Sequence, residues 1–187
     1  MSLQASLPAS FRILLRRFRR NRRGSAAVQF AFVAPLFFGL LFAIIEVALV
    51  FFAGQVLETI TQSSARMILT GQAQTAAYTQ AQFATYVCSQ VPALFDCNNI
   101  YIDVESYSSF QTVSINSQID ASKNFINNMK YCPGNSGDIV VVRLFYQWPA
   151  FVTGLGFNLS NLSGNKVLLS ATAAFKNEPF VASPSAC

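Results

Sequence analysis

The longest pattern in the chain is an apolar run from Phe30 to Ala53, interrupted by one charged residue, Glu46. As an α-helix with a rise of 1.5 Å per residue, this run would extend over roughly 36 Å, enough to cross a hydrocarbon core of about 30 Å with some tilt. A cleaved signal peptide has a shorter apolar region, of about 7 to 15 residues, followed by small residues at the cleavage site. The run therefore predicts a membrane-spanning helix.

Helical spacing of apolar residues continues through residues 54–70, so we expect one long helix that leaves the bilayer and ends near Gly71. After a polar connection, Thr79 is followed three residues later by Gln82, a pair typical of a capping box. This pair predicts the start of a second helix, which ends before Pro92. The apolar positions of that helix are Phe83, Val87 and Val91.

The second half of the chain shows the alternation of β-strands. Residues 100–107 alternate strictly, which predicts a strand with one buried and one solvated face. Residues 139–148 and 166–175 are rich in β-forming residues and are separated by a loop rich in Gly and Asn, so we expect an antiparallel hairpin. A short helix is predicted around Phe125 to Met129. The predicted fold class is α+β, with a long N-terminal transmembrane helix, a second helix and an antiparallel sheet.

The charge pattern predicts how the chain crosses the membrane. All the arginines of the leader precede Gly24: Arg12, Arg16, Arg17, Arg19, Arg20, Arg22 and Arg23. Because cytoplasmic flanks carry the excess of positive charge, we expect a single membrane crossing with the N-terminus in the cytoplasm. A basic run can also indicate nucleic-acid binding. Beside an apolar helix, however, we expect these arginines to contact the lipid membrane and no nucleic acid.

This orientation divides the chain into three parts. Residues 1–24 form a basic cytoplasmic leader, residues 25–54 the transmembrane helix, and residues 55–187 a periplasmic α+β domain.

The cysteines indicate disulfides in an oxidising compartment. There are four of them and no histidine. Four cysteines permit three connectivities, among which we favour Cys88 with Cys97 and Cys132 with Cys187. The first pair flanks the short turn after the second helix, and the second would hold the C-terminus. We predict no metal, because the cysteine spacing is unlike that of zinc sites, and no cofactor.

An enzymatic function is disfavoured. Without histidine, a cysteine nucleophile would lack its usual base, and no GxSxG motif is present. Asp103 and Glu105 share one strand face at a spacing compatible with paired carboxylates, but a solvated strand face is the favoured interpretation. Glu46 has two interpretations, which are a functional charge inside the membrane and a side chain that reaches water near the outer end of the helix.

The sequence from Arg19 to Phe38, RRNRRGSAAVQFAFVAPLFF, has a distinctive order: a basic run, a glycine, small residues, one polar residue and then the apolar helix. It resembles the leader junction of prepilins and of TadE-like subunits of the tight-adherence (Tad) pilus system. Other parts of the chain also look TadE-like. These are Pro35, Ile44 to Glu46, Asp138 to Phe151, Lys176 to Phe180 and Cys187.

The resemblance implies cleavage between Gly24 and Ser25 by a prepilin peptidase on the cytoplasmic side. It also implies a non-enzymatic, pilin-like component of Tad/Flp pilus biogenesis that supports pilus assembly and surface adhesion. The implied partners are other pilin-like subunits of the Tad system and the inner-membrane assembly platform. The alternative is an uncleaved, membrane-anchored periplasmic scaffolding or binding protein.

One position departs from the pilin pattern. Pilin-like proteins usually carry a glutamate five residues into the mature chain, where it can pair with the new N-terminal amine of a neighbour. Here Gln29 occupies that position. A neutral amide still accepts a hydrogen bond, but it lacks the charge assistance that roughly doubles the bond's strength. We therefore predict a minor partner rather than the main filament subunit.

Overall fold

The computed structural model describes residues 24–91, 93–151 and 158–181. The chain divides into two compact units, Met1–Ala43 and Ile44–Cys187. In the described part of the first unit the backbone is helical, and almost all side chains are exposed. The whole sheet and the main cluster of buried apolar residues belong to the second unit.

Three α-helices, two short 3-10 helices and three strands make up the described fold, which confirms the α+β class. Helix α1 is Ser25–Leu69, α2 is Gln72–Thr75 and α3 is Gln80–Ser89; the strands are β1 at Ile100–Tyr107, β2 at Ile139–Pro149 and β3 at Lys166–Lys176. Helix α1 is 45 residues long and contains Pro35. The expectation of one long helix is therefore confirmed.

Two predicted helix boundaries are confirmed by the local backbone. After α1, Gly71 has a φ of 74°, and a Cβ on this residue would overlap the ring of Phe180. Only glycine fits a left-handed position that is so close to another side chain, so α1 ends here. Helix α3 begins with a capping box in which Thr79 and Gln82 each accept a hydrogen bond from the other's backbone N–H.

The sheet has the order β1-β2-β3, and both pairs are antiparallel. The predicted hairpin of residues 139–148 and 166–175 is confirmed. Val142 lies at the centre, opposite Val104 on one side and Ala173 on the other. These residues belong to the inner face of the sheet, which forms one buried cluster with the second half of α1. The main α1 contributors to this cluster are Ala53, Leu57, Ile60, Ala65 and Ile68.

The other face of the sheet, which we call the outer face, differs from the prediction. Asp103 was expected on a solvated face of β1, but it is only 1% exposed. The segment between β1 and β2 covers this face, with the ring of Phe125 4.6 Å from Tyr101 and 6.0 Å from Phe145. The prediction of a helix around Phe125 to Met129 is also wrong. The backbone there is not helical, and Phe125 forms an antiparallel bridge with Ile119.

Cys88 at the end of α3 forms a disulfide with Cys97, and their Cα atoms are 5.6 Å apart. This is the first of the two pairs expected from the sequence. In the second expected pair, Cys132 lies directly after the segment that covers the outer face, whereas Cys187 is outside the described residues.

Candidate functional site

The predicted processing junction lies at the first residue of α1. Gly24 directly precedes Ser25, where the helix begins, and both residues are exposed. Around Gly24, a Cβ would meet nothing within 4 Å among the described residues. Those residues therefore do not require a glycine at this position. The arginines predicted to form the leader, in residues 1–23, lie outside the described residues.

Gln29 lies in the second turn of α1 and is exposed. The first turn of the helix carries no acidic residue. An acidic side chain near a helix N-terminus is normally favoured by the helix dipole, and a glutamine lacks that charge. The structure thus places a neutral, accessible amide four residues after Ser25.

The side chains that follow Gln29 form an exposed apolar surface. Within the described residues, α1 is the one helix long and apolar enough to cross a membrane. Among the large apolar side chains of α1 in the first unit, Phe32, Leu36 and Phe30 have the largest exposed fractions. Exposed apolar surface of this extent requires lipid or another protein to cover it.

Glu46 lies farther along α1 and is only 6% exposed. Its carboxylate accepts a hydrogen bond from the backbone N–H of Phe151, just after the end of β2. The interpretation that Glu46 extends into water therefore does not match its burial. No pattern in the sequence indicates this partner, because the two residues are separated by 105 positions in the chain.

A second buried acidic residue organises the outer face of the sheet. Asp103 Oδ2 accepts hydrogen bonds from Arg143 Nη2 at 2.6 Å and from Arg143 Nε at 3.0 Å. Its other oxygen accepts from the backbone N–H of Lys130 at 2.8 Å. Arg143 in turn donates to the backbone carbonyl of Asn116 at 3.2 Å. This ion pair therefore holds the segment between β1 and β2 on the sheet.

The carboxylates of Asp103 and Glu105 do not form an acid–base pair. Arg143 lies between them, with its Nη2 3.6 Å from Glu105 Oε1. One guanidinium thus lies against both carboxylates, and Lys130 Nζ is a second cation 3.6 Å from Glu105 Oε2, which is a structural arrangement. Among residues 24–91, 93–151 and 158–181, no group of three or more histidine, cysteine or acidic side chains could hold a metal ion.

Among known protein families, the model of the family described as TadE-like protein matches residues 24–66. Over this segment the chain is similar to that family. The TadE-like segment begins at the glycine of the predicted processing junction and includes Gln29, Glu46 and most of α1. No curated protein and no solved structure matches the chain.

The TadE-like match supports, over residues 24–66, the resemblance seen in the sequence. TadE-like pilus proteins are structural components rather than known enzymes. The TadE-like segment also provides the one candidate membrane span of the described chain. It ends just before α1 does, so the sheet and α3 lie outside the matched residues.

Proposed function

We propose that this chain is a non-enzymatic, pilin-like component of Tad/Flp pilus biogenesis that supports pilus assembly and surface adhesion. The observation that carries the proposal is the TadE-like match, which begins at Gly24 and follows α1 to Arg66. Helix α1 has the two properties that such a component needs. Its early side chains are exposed and apolar, and its later ones contribute to the core of an α+β domain.

The proposed location is the bacterial inner membrane, with one crossing, a cytoplasmic N-terminus and a periplasmic C-terminal domain. The arginine-rich leader supports this orientation through the positive-inside rule. The Cys88–Cys97 disulfide supports an oxidising compartment for the domain. The boundaries at residues 1–24, 25–54 and 55–187 remain part of this proposal.

Processing by a prepilin peptidase between Gly24 and Ser25 is the first step of the proposed function. Cleavage removes the charged leader and leaves a helix that begins at the membrane face. The exposed apolar surface of α1 can then contact the helices of other pilin-like subunits as the assembly platform incorporates the chain. With Gln29 in place of the usual glutamate, we propose that the chain is a minor partner in the filament.

Two matched glycines allow a direct test of processing. Gly24 and Gly54 lie at or within the same helix, and at both positions a Cβ would meet no described residue within 4 Å. We therefore expect Gly24→Leu and Gly54→Leu to fold equally well. Gly24→Leu should retain the full leader in host cells, whereas Gly54→Leu should be cut as the wild type is. Intact-mass measurement of the purified proteins separates the two forms.

The same measurement distinguishes the proposal from its alternative. A wild-type chain that begins at Ser25 supports processing by the peptidase. A wild-type chain that keeps its leader while the peptidase is active would contradict the proposal, and an uncleaved, membrane-anchored scaffolding or binding protein would replace it. Cleavage of Gly24→Leu at the usual position would show that the glycine is not what the peptidase recognises.

A further inference from the structure

One end of the sheet carries exposed groups that the proposed function does not use. Phe151, two residues after the end of β2, is 79% exposed, although it is a large apolar residue. Lys166, at the start of β3, lies opposite Pro149 in the sheet and is also exposed. Its ammonium is 3.2 Å from the side-chain oxygen of Gln147. This end of the sheet, which we call the β2 tip, thus presents an aromatic ring beside a cation.

The β2 tip lies at the level of Glu46 on α1, because the backbone N–H of Phe151 donates to the Glu46 carboxylate. Around Glu46, α1 is apolar on the side that does not face the core. The exposed apolar residues of this stretch are Ile44, Ile45, Leu49, Phe51 and Phe52. The next exposed residue with a polar side chain is Gln55. The β2 tip is therefore adjacent to a helix surface that continues the apolar surface of the membrane span.

The exposed apolar stretch of α1 gives the depth of this level. Within the second unit this stretch runs from Ile44 to Phe52, and Gln55 follows it. With α1 crossing the membrane, as the proposed function requires, the boundary between acyl chains and headgroups lies along this stretch. Glu46 and Phe151 therefore lie in the outer part of the bilayer. Aromatic side chains and lysine are both favourable at this depth.

We propose that the β2 tip is a lipid-binding surface that rests in the outer leaflet of the membrane crossed by α1. The Phe151 ring inserts among the upper acyl chains, and the Lys166 ammonium binds lipid phosphate. The occupant is lipid rather than another subunit, because the tip combines an apolar ring with a cation at the depth of the interface. The burial of Glu46 fits this location, since a carboxylate near acyl chains needs a donor from protein.

The single tryptophan of the chain provides a native probe of this surface. Trp148 lies on β2, three residues before Phe151. In vesicles whose lipids carry bromine on the acyl chains near the headgroup, a tryptophan at the interface loses fluorescence. The matched control is the variant Trp148→Phe with Phe110→Trp. Phe110 is 61% exposed and follows the opposite end of the sheet, where Tyr107 pairs with Ile139.

The experiment uses the purified full chain in brominated vesicles that contain anionic lipid. We expect the fluorescence of the wild type to be reduced at least twofold more than that of the Phe110→Trp control. Phe151→Ser should remove most of this difference, although it leaves the backbone contact with Glu46 in place. Lys166→Gln should abolish any increase in quenching that anionic lipid produces in the wild type.

The outcomes separate this inference from the proposed function. Resistance of the protein to alkaline extraction from the vesicles shows that α1 is inserted. A chain that is extracted would contradict the membrane part of the proposed function. An inserted chain with equal quenching of both probes, or with quenching unchanged in Phe151→Ser, would overturn the lipid-binding surface alone. Absence of quenching together with crosslinks between the β2 tip and a second subunit would also overturn it.

Discussion

The two faces of the sheet are stabilised by different kinds of interaction. On the inner face, β-strand residues such as Val142 and Leu144 join Leu57 of α1 in a cluster of apolar side chains. On the outer face, the buried contact is between the charged groups of Asp103 and Arg143. The inner face gains its stability from area removed from water, which many combinations of apolar residues can supply. The outer face depends, beside the aromatic contacts of Phe125, on one pair of charges that must stay balanced.

This difference predicts different responses to substitution. A buried ion pair adds little compared with a well-packed apolar pair, but the loss of one partner leaves the other charge buried without compensation. An apolar core loses stability in proportion to the atoms removed and the cavity left behind. The outer face should therefore be sensitive to charge and the inner face to volume.

Asp103→Asn is expected to have the largest effect. It removes the charge that neutralises Arg143, whose side chain is 7% exposed, so we expect a loss of about 3–5 kcal/mol in the free energy of unfolding. Glu105→Gln, on the same strand face, is the matched control. Its side chain is 24% exposed and 3.6 Å from Arg143, so its loss should stay below about 1 kcal/mol. Guanidinium unfolding followed by Trp148 fluorescence measures both.

The double variant Asp103→Leu, Arg143→Met sharpens this prediction. If the main contribution of each charge is to compensate the other, removing both charges should restore part of the stability that Asp103→Asn loses. A double variant that is less stable than Asp103→Asn would show that hydrogen bonds to Asn116 and Lys130 matter more than charge balance.

Leu57→Ala tests the inner face. Leu57 is fully buried in the core cluster, so we expect a loss of about 2–5 kcal/mol. Leu40→Ala makes the same change in the same helix at a residue that is half exposed. The free energy of unfolding of this variant should stay within about 0.5 kcal/mol of the wild-type value. Equal effects of the two substitutions would contradict the assignment of the core to the later part of α1.

The smallest expected effect is the contribution of Tyr131 to stability, which depends on pH. Burial, and secondarily the nearby Tyr78, raises the pKa of Tyr131 to about 12 from its ordinary value of 10. In the unfolded chain the hydroxyl loses its proton at lower pH than in the folded chain. The contribution of Tyr131 to stability is therefore complete below pH 10 and is lost as the pH rises from 10 to 12.

Tyr131→Phe should flatten this decline. The hydroxyl of Tyr131 is buried and has no hydrogen-bond partner among the described residues, so phenylalanine should be tolerated at pH 8. The free energy of unfolding of the wild type and of Tyr131→Phe is measured at pH 8 and at pH 11. An equal loss of stability in the two proteins between these pH values would contradict the prediction.

The inner face could be predicted from the sequence, and the outer face could not. Alternating apolar residues in β1 and β2 and the helical spacing around Leu57 identify one face of each element. The start of α3 at the capping box of Thr79 and the end of α1 near the left-handed Gly71 depend on residues that are close in the sequence, so these boundaries were also predictable. The partners of Asp103 and Glu46 are 40 and 105 residues away in the chain. Periodicity carries no information about contacts over such distances.

The central claim is that this chain is a minor, processed component of a Tad pilus. The most direct measurement is quantitative mass spectrometry of pili sheared from host cells, with the peptide that begins at Ser25 counted against the main pilin, in wild type and in Gln29→Glu. We predict that the wild-type chain is present in its cleaved form at far less than one copy per main subunit and that cells lacking it make fewer pili. A wild-type chain that is the dominant subunit, or normal pilus numbers in cells without it, would contradict the account.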